Sequence, residues 1–278
     1  MRGVMRLDII VVLYNKEFQS SNTLLSLISQ ENIPSSIDIN LFLYDNSERS
    51  MINKEDLDLL NELFNVKYIS DGNNRTLNEI YTHHFKHKFK DDSVHYFLIL
   101  DDDSLLSKTY LINWYESYFS SVIIKKRLPV FIPQVIVNEV QYSPFKMCRF
   151  LSFKFDGIAS KAFKDVGAIN SGLFIPNVGE INNFNYPDYL KFYGTDMVFF
   201  DYLNKINYDL IVMDDNVIVH DLSFDKNKSE DEYISRLLIV VEFWKLYYTG
   251  FFDSFLLKLY LKVLSLRLSL RYRKKIIL

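Results

Sequence analysis

His95-Tyr96-Phe97-Leu98-Ile99-Leu100-Asp101-Asp102-Asp103-Ser104 carries apolar side chains on both alternating faces and then meets three consecutive carboxylates. A short run of that kind, rich in aromatic and branched residues, reads as a strand buried in the middle of a sheet. Three adjacent ionised carboxylates lose their hydration and repel one another if enclosed. They must therefore lie at the carboxyl end of the strand, facing water, basic side chains or a divalent cation. Open α/β sheets keep their ligand crevice at that edge. The run thus proposes a site in which Asp101 and Asp103 hold a hard cation, Mg2+ or Mn2+, that in turn holds phosphate oxygens. The plain alternative is a solvated acidic turn.

Upstream of this run, 7–13 (LDIIVVL) reads as a second buried strand, ending in Tyr14-Asn15-Lys16. A helix is expected over 17–30, with Leu24, Leu25, Leu27 and Ile28 as its apolar stripe. The segment 37–44 (IDINLFLY) alternates as a strand and stops at the turn cluster Asp45-Asn46-Ser47. A helix over 54–64, a strand over 66–69, the turn Asp71-Gly72-Asn73-Asn74 and a helix over 75–87 lead back to the acidic run. This β-α-β-α-β-α-β order predicts a mainly parallel central sheet flanked by helices. Downstream, helices are expected over 108–119, 196–205 and 231–248, and strands over 129–137, 167–175, 210–213 and 217–220. Residues 143–164 read as a loop over the site.

Composition narrows the class. Hydrophobic residues make up 49% and charged residues 24%, enough for a sizeable core and too apolar for disorder. With 8 Gly and 6 Pro against 23 Phe and 19 Tyr, a loop-dominated or all-β chain is disfavoured. The single cysteine, Cys148, excludes an intramolecular disulfide and a cysteine-based zinc site, and fits a reducing compartment. The first residues lack a small-residue cleavage site and do not read as a secretory signal. From Lys258 onward there are seven Lys/Arg and no Asp/Glu, so the rest of the chain is more acidic than the net charge of −3. An acidic body with a basic tail does not fit a nucleic-acid binder.

Four features in order resemble the inverting GT-A glycosyltransferases of glycosyltransferase family 2. They are the strand ending in Tyr14-Asn15-Lys16, the strand ending in Asp45-Asn46-Ser47, the segment Asn73-Asn74-Arg75-Thr76-Leu77-Asn78, and Leu100-Asp101-Asp102-Asp103-Ser104. Downstream, Asn170-Ser171-Gly172, Gly194-Thr195-Asp196 and Val219-His220 are similar to the acceptor half of the family, most of all its rhamnosyltransferase-like branch. The resemblance spans roughly 7–222. It implies one GT-A domain over 1–250, with a Rossmann-like nucleotide half at about 7–104 and an acceptor half at about 105–222. It also implies a nucleotide site at Tyr14, Asn15, Asp45, Asn74, Arg75, Asn78, Asp101 and Asp102, with Asp45 meeting a base ring N–H and Arg75 the diphosphate. Ser171 and Gly172 would face acceptor or donor sugar, Asp101, Asp103 and His220 would hold the metal, and Asp196 would be the general base, with Asp188 in reserve. One departure stands out: the rhamnosyltransferase-like branch carries a second acid two positions before the base, where this chain has Gly194.

The implied activity is metal-dependent transfer of a sugar from a UDP- or dTDP-linked donor to a saccharide, lipid-linked and bound for a bacterial surface polysaccharide. Competing readings are a metal-dependent nucleotide-processing enzyme of another type and a membrane-bound scaffold without turnover. Trp114 and Trp244 read as core or acceptor-stacking residues, with core preferred. His83, His84, His87 and His95 form no zinc pattern. The tail, 251–278, is apolar but interrupted by Lys258, Lys262, Arg267 and Arg271, so it is not a plain spanning helix. As a helix it puts Lys258 and Lys262 on one side and Arg267 and Arg271 on the other, a poor single-face amphipath. A peripheral anchor on the cytoplasmic face of the membrane is the preferred reading; packing on the enzyme body or in a homo-oligomer is the alternative.

Overall fold

The computed structural model describes residues 5–87, 93–122, 127–155, 165–190, 193–220 and 230–278. The first half builds β1 (Met5–Leu13), α1 (Asn22–Ile28), β2 (Ile37–Asp45), α2 (Lys54–Asn61), β3 (Asn65–Ile69), α3 (Leu77–Phe85) and β4 (His95–Asp101). There follow β5 (Ser104–Leu106), α4 (Tyr110–Val122), β6 (Val130–Val137), β7 (Val140–Ser143), β8 (Phe145–Cys148), β9 (Leu151–Lys154) and β10 (Val166–Gly167). The chain then forms β11 (Phe174–Pro176), α5 (Gly179–Asn182), α6 (Thr195–Lys205), β12 (Leu210–His220), α7 (Glu230–Tyr247) and α8 (Phe251–Tyr272).

The main sheet runs β3-β2-β1-β4-β11-β6-β12-β5, with β7 paired to β6. β1 pairs in parallel with β2 on one side and β4 on the other, in registers that set Leu13 beside Asp45 and Val12 beside Asp101. The chain thus winds outward from β1 to β3 and returns on the other flank at β4. That reversal puts the three carboxylates at the carboxyl ends of β1 and β4, the edge at which open α/β sheets keep their ligands.

Two apolar clusters cover the two faces of this sheet, as a doubly covered sheet requires. On one, the fully buried Trp114 stacks on Phe174 at 4.4 Å, with interplanar angle 3°; Trp114 is a core residue. Asp8, mid-strand in β1 and buried, lies 3.1 Å from His95 Nε2 and accepts a 2.8 Å hydrogen bond from Asn40. Burial opposes the Asp8 charge, but His95 and Asn40 outweigh it and hold the carboxyl below its ordinary range.

Three sequence expectations differ from the structure. The stretch 167–175 is not one strand: its backbone turns at Gly172, φ +89°, and only Phe174–Pro176 joins the sheet, antiparallel to β4 and β6. The two strands expected over 210–220 are one, β12, with a register shift between Met213 and Val217 where Asp214-Asp215-Asn216 bulges out. The expected loop over 143–164 contains a β8–β9 hairpin that pairs with β10 in a small second sheet; residues 156–164 lie outside the described set. β8, β9, β10 and β11 are short, and the polar Asp214-Asp215-Asn216 interrupts β12, so the pairing partners supply a signal that local pattern cannot.

Candidate active site

The acidic turn is fixed through its backbone. Thr23 Oγ1 donates to the Asp101 carbonyl at 2.5 Å and accepts from the Ser104 N–H at 2.9 Å. Ser21 Oγ donates to the Asp102 carbonyl at 2.7 Å while accepting from Leu24 N–H as the cap of α1. From the other side, the Asp101 N–H donates to Ser171 Oγ at 3.0 Å, and Ser171 Oγ meets Ser104 Oγ at 2.6 Å. With the Asp101 N–H, the Asp101 and Asp102 carbonyls and the Ser104 N–H engaged behind it, the peptide leaves the three aspartates half-buried at the strand end. Ser21 and Thr23 escaped the sequence reading. The cap signature was present, but nothing local says that the same hydroxyls reach a strand 80 residues away.

The three carboxylates separate in role. Asp102 accepts from Lys16 Nζ at 2.9 Å and from the Tyr14 N–H at 3.3 Å, closing the end of β1 onto the end of β4. Tyr14 itself is 57% exposed at the mouth. Asn15 holds a left-handed backbone, φ 51°, and donates its N–H to Ser47 Oγ at 2.8 Å. Asp101 and Asp103 flank Asp102 in the chain. Antiparallel pairing of β5 with β12 brings His220 opposite Ser104, next in sequence to Asp103. Two hard carboxylate donors suit Mg2+ or Mn2+, which commonly bind through one or two carboxylates plus substrate phosphates. Among the described residues no three His, Cys, Asp or Glu side chains form a ready-made cage, so substrate oxygens would have to complete the shell.

Other candidate residues fall into distinct places. Asn74 and Arg75 line a cavity of about 650 Å³ together with Tyr44 and Glu79. Arg75 pairs with Asp71, four residues before it. Asp45, by contrast, is buried. Its Oδ1 accepts from the Ser47 N–H at 3.1 Å, and its Oδ2 from the Met51 N–H at 2.8 Å and the Tyr68 hydroxyl at 2.5 Å. Burial alone would raise this carboxyl, but those donors hold it below the ordinary range. Asn78 uses its amide to hold the Pro187 and Leu190 carbonyls at 3.2 and 3.1 Å, so it ties α3 to the far half of the chain. Ser171 is wholly buried behind the acidic turn. Gly172 is where the chain passes Tyr110, whose hydroxyl donates to the Gly172 carbonyl at 2.7 Å.

Asp196 stands in the first turn of α6. It lines a second cavity, about 320 Å³, walled by the β8–β9 hairpin and α7, with Phe150, Trp244 and Phe243 as aromatic surfaces. Burial raises the Asp196 carboxyl and outweighs the Met197 N–H bond at 2.8 Å, leaving a carboxylate more basic than usual. Trp244, read from sequence as core first, packs on the core and also faces this cavity. Asp188 is exposed. Asn170 joins the two halves: its amide donates to Thr195 Oγ1 at 3.0 Å, beside Ser171 on one side and Asp196 on the other. The fully buried Tyr81 hydroxyl is pushed up by burial first, then by Asp101, Tyr186 and Asp196 in turn.

The glycine two positions before Asp196 has a structural reason. Gly194 caps α6 with φ +87°, and a Cβ there would lie 2.5–2.6 Å from the Phe243 ring. The ring from α7 occupies the space a side chain would need, so the position admits only glycine while α7 is packed as it is.

No family model and no curated protein sequence matches the chain. Solved structures do. TarS from S. aureus superposes with TM-score 0.51 at 14% identity, covering 86% of this chain and 39% of that one. Its 1–349 fragment in complex with UDP-GlcNAc gives 0.51 at 13%, covering 86% of this chain and 66% of that one. GalNAc-T7 with UDP, GalNAc and Mn2+ gives 0.53 at 16%, covering 87% and 50%. The fold is that of the GT-A glycosyltransferases. The chain therefore spans between about two fifths and two thirds of the length of these solved GT-A chains.

Proposed function

We propose that the chain is a metal-dependent, inverting glycosyltransferase that moves a sugar from a UDP- or dTDP-linked donor to a saccharide acceptor. The observation that carries this reading is the hydroxyl-locked acidic turn at the β1–β4 reversal of a GT-A sheet, paired with a separate aromatic cavity holding a basic carboxylate. The donor diphosphate sits over Asp101 and Asp103, with Asn74 and Arg75 on the nucleotide side. A cation held there by Asp101 and Asp103, with His220 adjacent in register, would screen the carboxylates from the diphosphate and stabilise the departing charge.

The acceptor lies on the aromatic walls beside Asp196. Its hydroxyl oxygen attacks the anomeric carbon from the side opposite the diphosphate while Asp196 takes the hydroxyl proton. The bond from that carbon to the phosphate oxygen breaks, the nucleoside diphosphate leaves with the electron pair, and the anomeric configuration inverts. A carboxylate with a raised pKa is suited to this proton transfer, because it holds the proton better than an ordinary aspartate does. Phe150 and Trp244 suit the apolar face of a sugar ring. A lipid-linked acceptor in bacterial surface polysaccharide synthesis, met at the cytoplasmic face of the membrane, agrees with the basic C-terminal helix.

Isothermal calorimetry of UDP, with and without Mn2+, tests the reading. Mn2+ should tighten UDP binding, and Asp103→Ala should abolish that gain while leaving the chain folded. UDP binding that ignores Mn2+ in the wild type would refute the metal assignment.

A further inference from the structure

The C-terminal helices form their own small core, separate from the sheet. α8 rests on α7 through Leu257, Leu261 and Leu268, all buried. At 3.6 residues per turn, Phe252, Phe255, Leu259, Val263, Leu266 and Leu270 point roughly 180° away from that face. All six are more than half exposed, from 53% at Leu259 to 72% at Leu270. They form a continuous apolar ridge about 27 Å long at 1.5 Å per residue, met at its start by the Arg149 guanidinium over the Phe252 ring.

The basic residues that made the tail a poor amphipath in one dimension acquire a meaning in three. With one face closed by α7, Lys258 and Lys262 run along one flank of the outward ridge and Arg267 and Arg271 along the other. We propose that α8 lies flat on an anionic lipid bilayer, ridge inserted at the acyl boundary and the two cationic rows at the level of the phosphates. Long basic side chains reach phosphates while their stems stay against apolar material. No helix among the described residues is long and apolar enough to cross a membrane, so the helix rests in the interface. A second copy of the chain is the poorer occupant. After Asp253 α8 carries no carboxylate, so ridge-to-ridge pairing would bring cationic rows against cationic rows.

The chain end reinforces the arrangement. Ile276 N–H and Leu278 N–H donate to Ser269 Oγ and Ser265 Oγ at 2.8 and 3.1 Å, and Lys274 pairs with Glu230 and Asp231 of α7. This strap holds the tail on the side of α8 away from the ridge centre. At the other end, Arg149 of the hairpin turn bonds Asp253 at 2.5 Å and lies over the Phe252 ring. Arg149 also lines the cavity of Asp196. The start of the ridge is therefore coupled to the rim of the acceptor cavity, which sets that rim beside the lipid surface. This deepens the lipid-linked-acceptor reading and rests on it only for its purpose, because binding to lipid is measured without donor or acceptor.

The test is co-sedimentation of the full chain with vesicles of phosphatidylcholine alone or mixed with phosphatidylglycerol, at low and high salt. Wild type should pellet with the anionic vesicles at low salt, and less at high salt. Leu259→Glu/Leu266→Glu should weaken that binding by at least about tenfold. Lys258→Glu/Lys262→Glu should abolish the preference for anionic over neutral lipid. Val140→Glu/Tyr142→Glu, the same change of two charges at exposed apolar residues of β7, should bind as wild type does. Circular dichroism confirms that each variant is folded. Wild type left in the supernatant, or a ridge variant that pellets as well as wild type, overturns the proposal. So does a wild-type dimer on light scattering that the ridge variant turns into monomer with lipid binding unchanged, which would assign the ridge to a second copy. UDP–Mn2+ calorimetry on the same preparations keeps a failed transferase reading distinct from a failed membrane reading.

Discussion

Mild acid should destabilise this protein through one histidine. His84, in α3, is 4% exposed, with its ring edge-on to Phe42 and Phe97 and its Nε2 3.0 Å from the Tyr44 hydroxyl. Burial drives its pKa from the ordinary 6.5 to about 4, only partly offset by the Asp8 charge. A buried histidine that resists protonation costs stability as pH falls, because the unfolded chain takes up the proton first. The loss starts as pH drops through 6.5 and levels off below about 4. Each unit between the two values is 1.36 kcal/mol, so the whole window amounts to about 3 kcal/mol, a sizeable part of a typical domain's stability. Asp8 and Asp45, both held below 3.8, contribute stability that is lost only further down. The raised carboxyl of Asp196 acts in the opposite sense above 3.8, but it is common to wild type and variant and cancels between them. The assay is urea unfolding of wild type and His84→Phe from pH 7 to about pH 4. Losing the Tyr44 partner offsets the variant by a constant amount, whereas the pH-dependent gap should close by about 3 kcal/mol across the window. Parallel curves for the two proteins would refute the reasoning, since the buried ring would then not be the group that titrates.

Two further predictions concern the site. Asp196→Asn should lower kcat by about 10²–10⁴ with UDP–Mn2+ affinity unchanged. It should also remove an acidic limb in the kcat–pH profile that in wild type lies above the ordinary carboxylate range; a limb that persists would assign the base elsewhere. Gly172→Ala would place a Cβ 2.1 Å from Ile218 Cδ1 and 2.6 Å from the Tyr110 hydroxyl at φ +89°. Left-handed strain and overpacking together should cost about 2–4 kcal/mol, read as a lowered Tm, and a Tm like that of wild type would show that the turn yields freely.

Much of the plan is written locally. The order of strands and helices up to Asp101 follows from alternation, apolar run length and turn residues, all of which act within a dozen positions. The acidic run declared its own place, since three charges cannot follow a buried strand anywhere but at its open end. Where a residue's role depends on a distant partner, one dimension carried no signal. Asp45 reads like any turn aspartate at a strand end, yet Tyr68 and Met51 take up its carboxylate. Ser171, expected at a sugar, also braces a peptide 70 residues earlier, which no local signal announces.

The sequence by itself determined a parallel α/β half with a cluster of negative charge at the carboxyl ends of its strands, because hydrophobic periodicity and the cost of enclosing charge leave no other arrangement. Only the tertiary structure decided that β11 enters the sheet reversed, that Phe243 forbids a side chain at Gly194, and which face of α8 looks outward. Those outcomes turn on which surfaces meet across long loops. Close packing settles that globally, and no short window of sequence contains both sides of the contact.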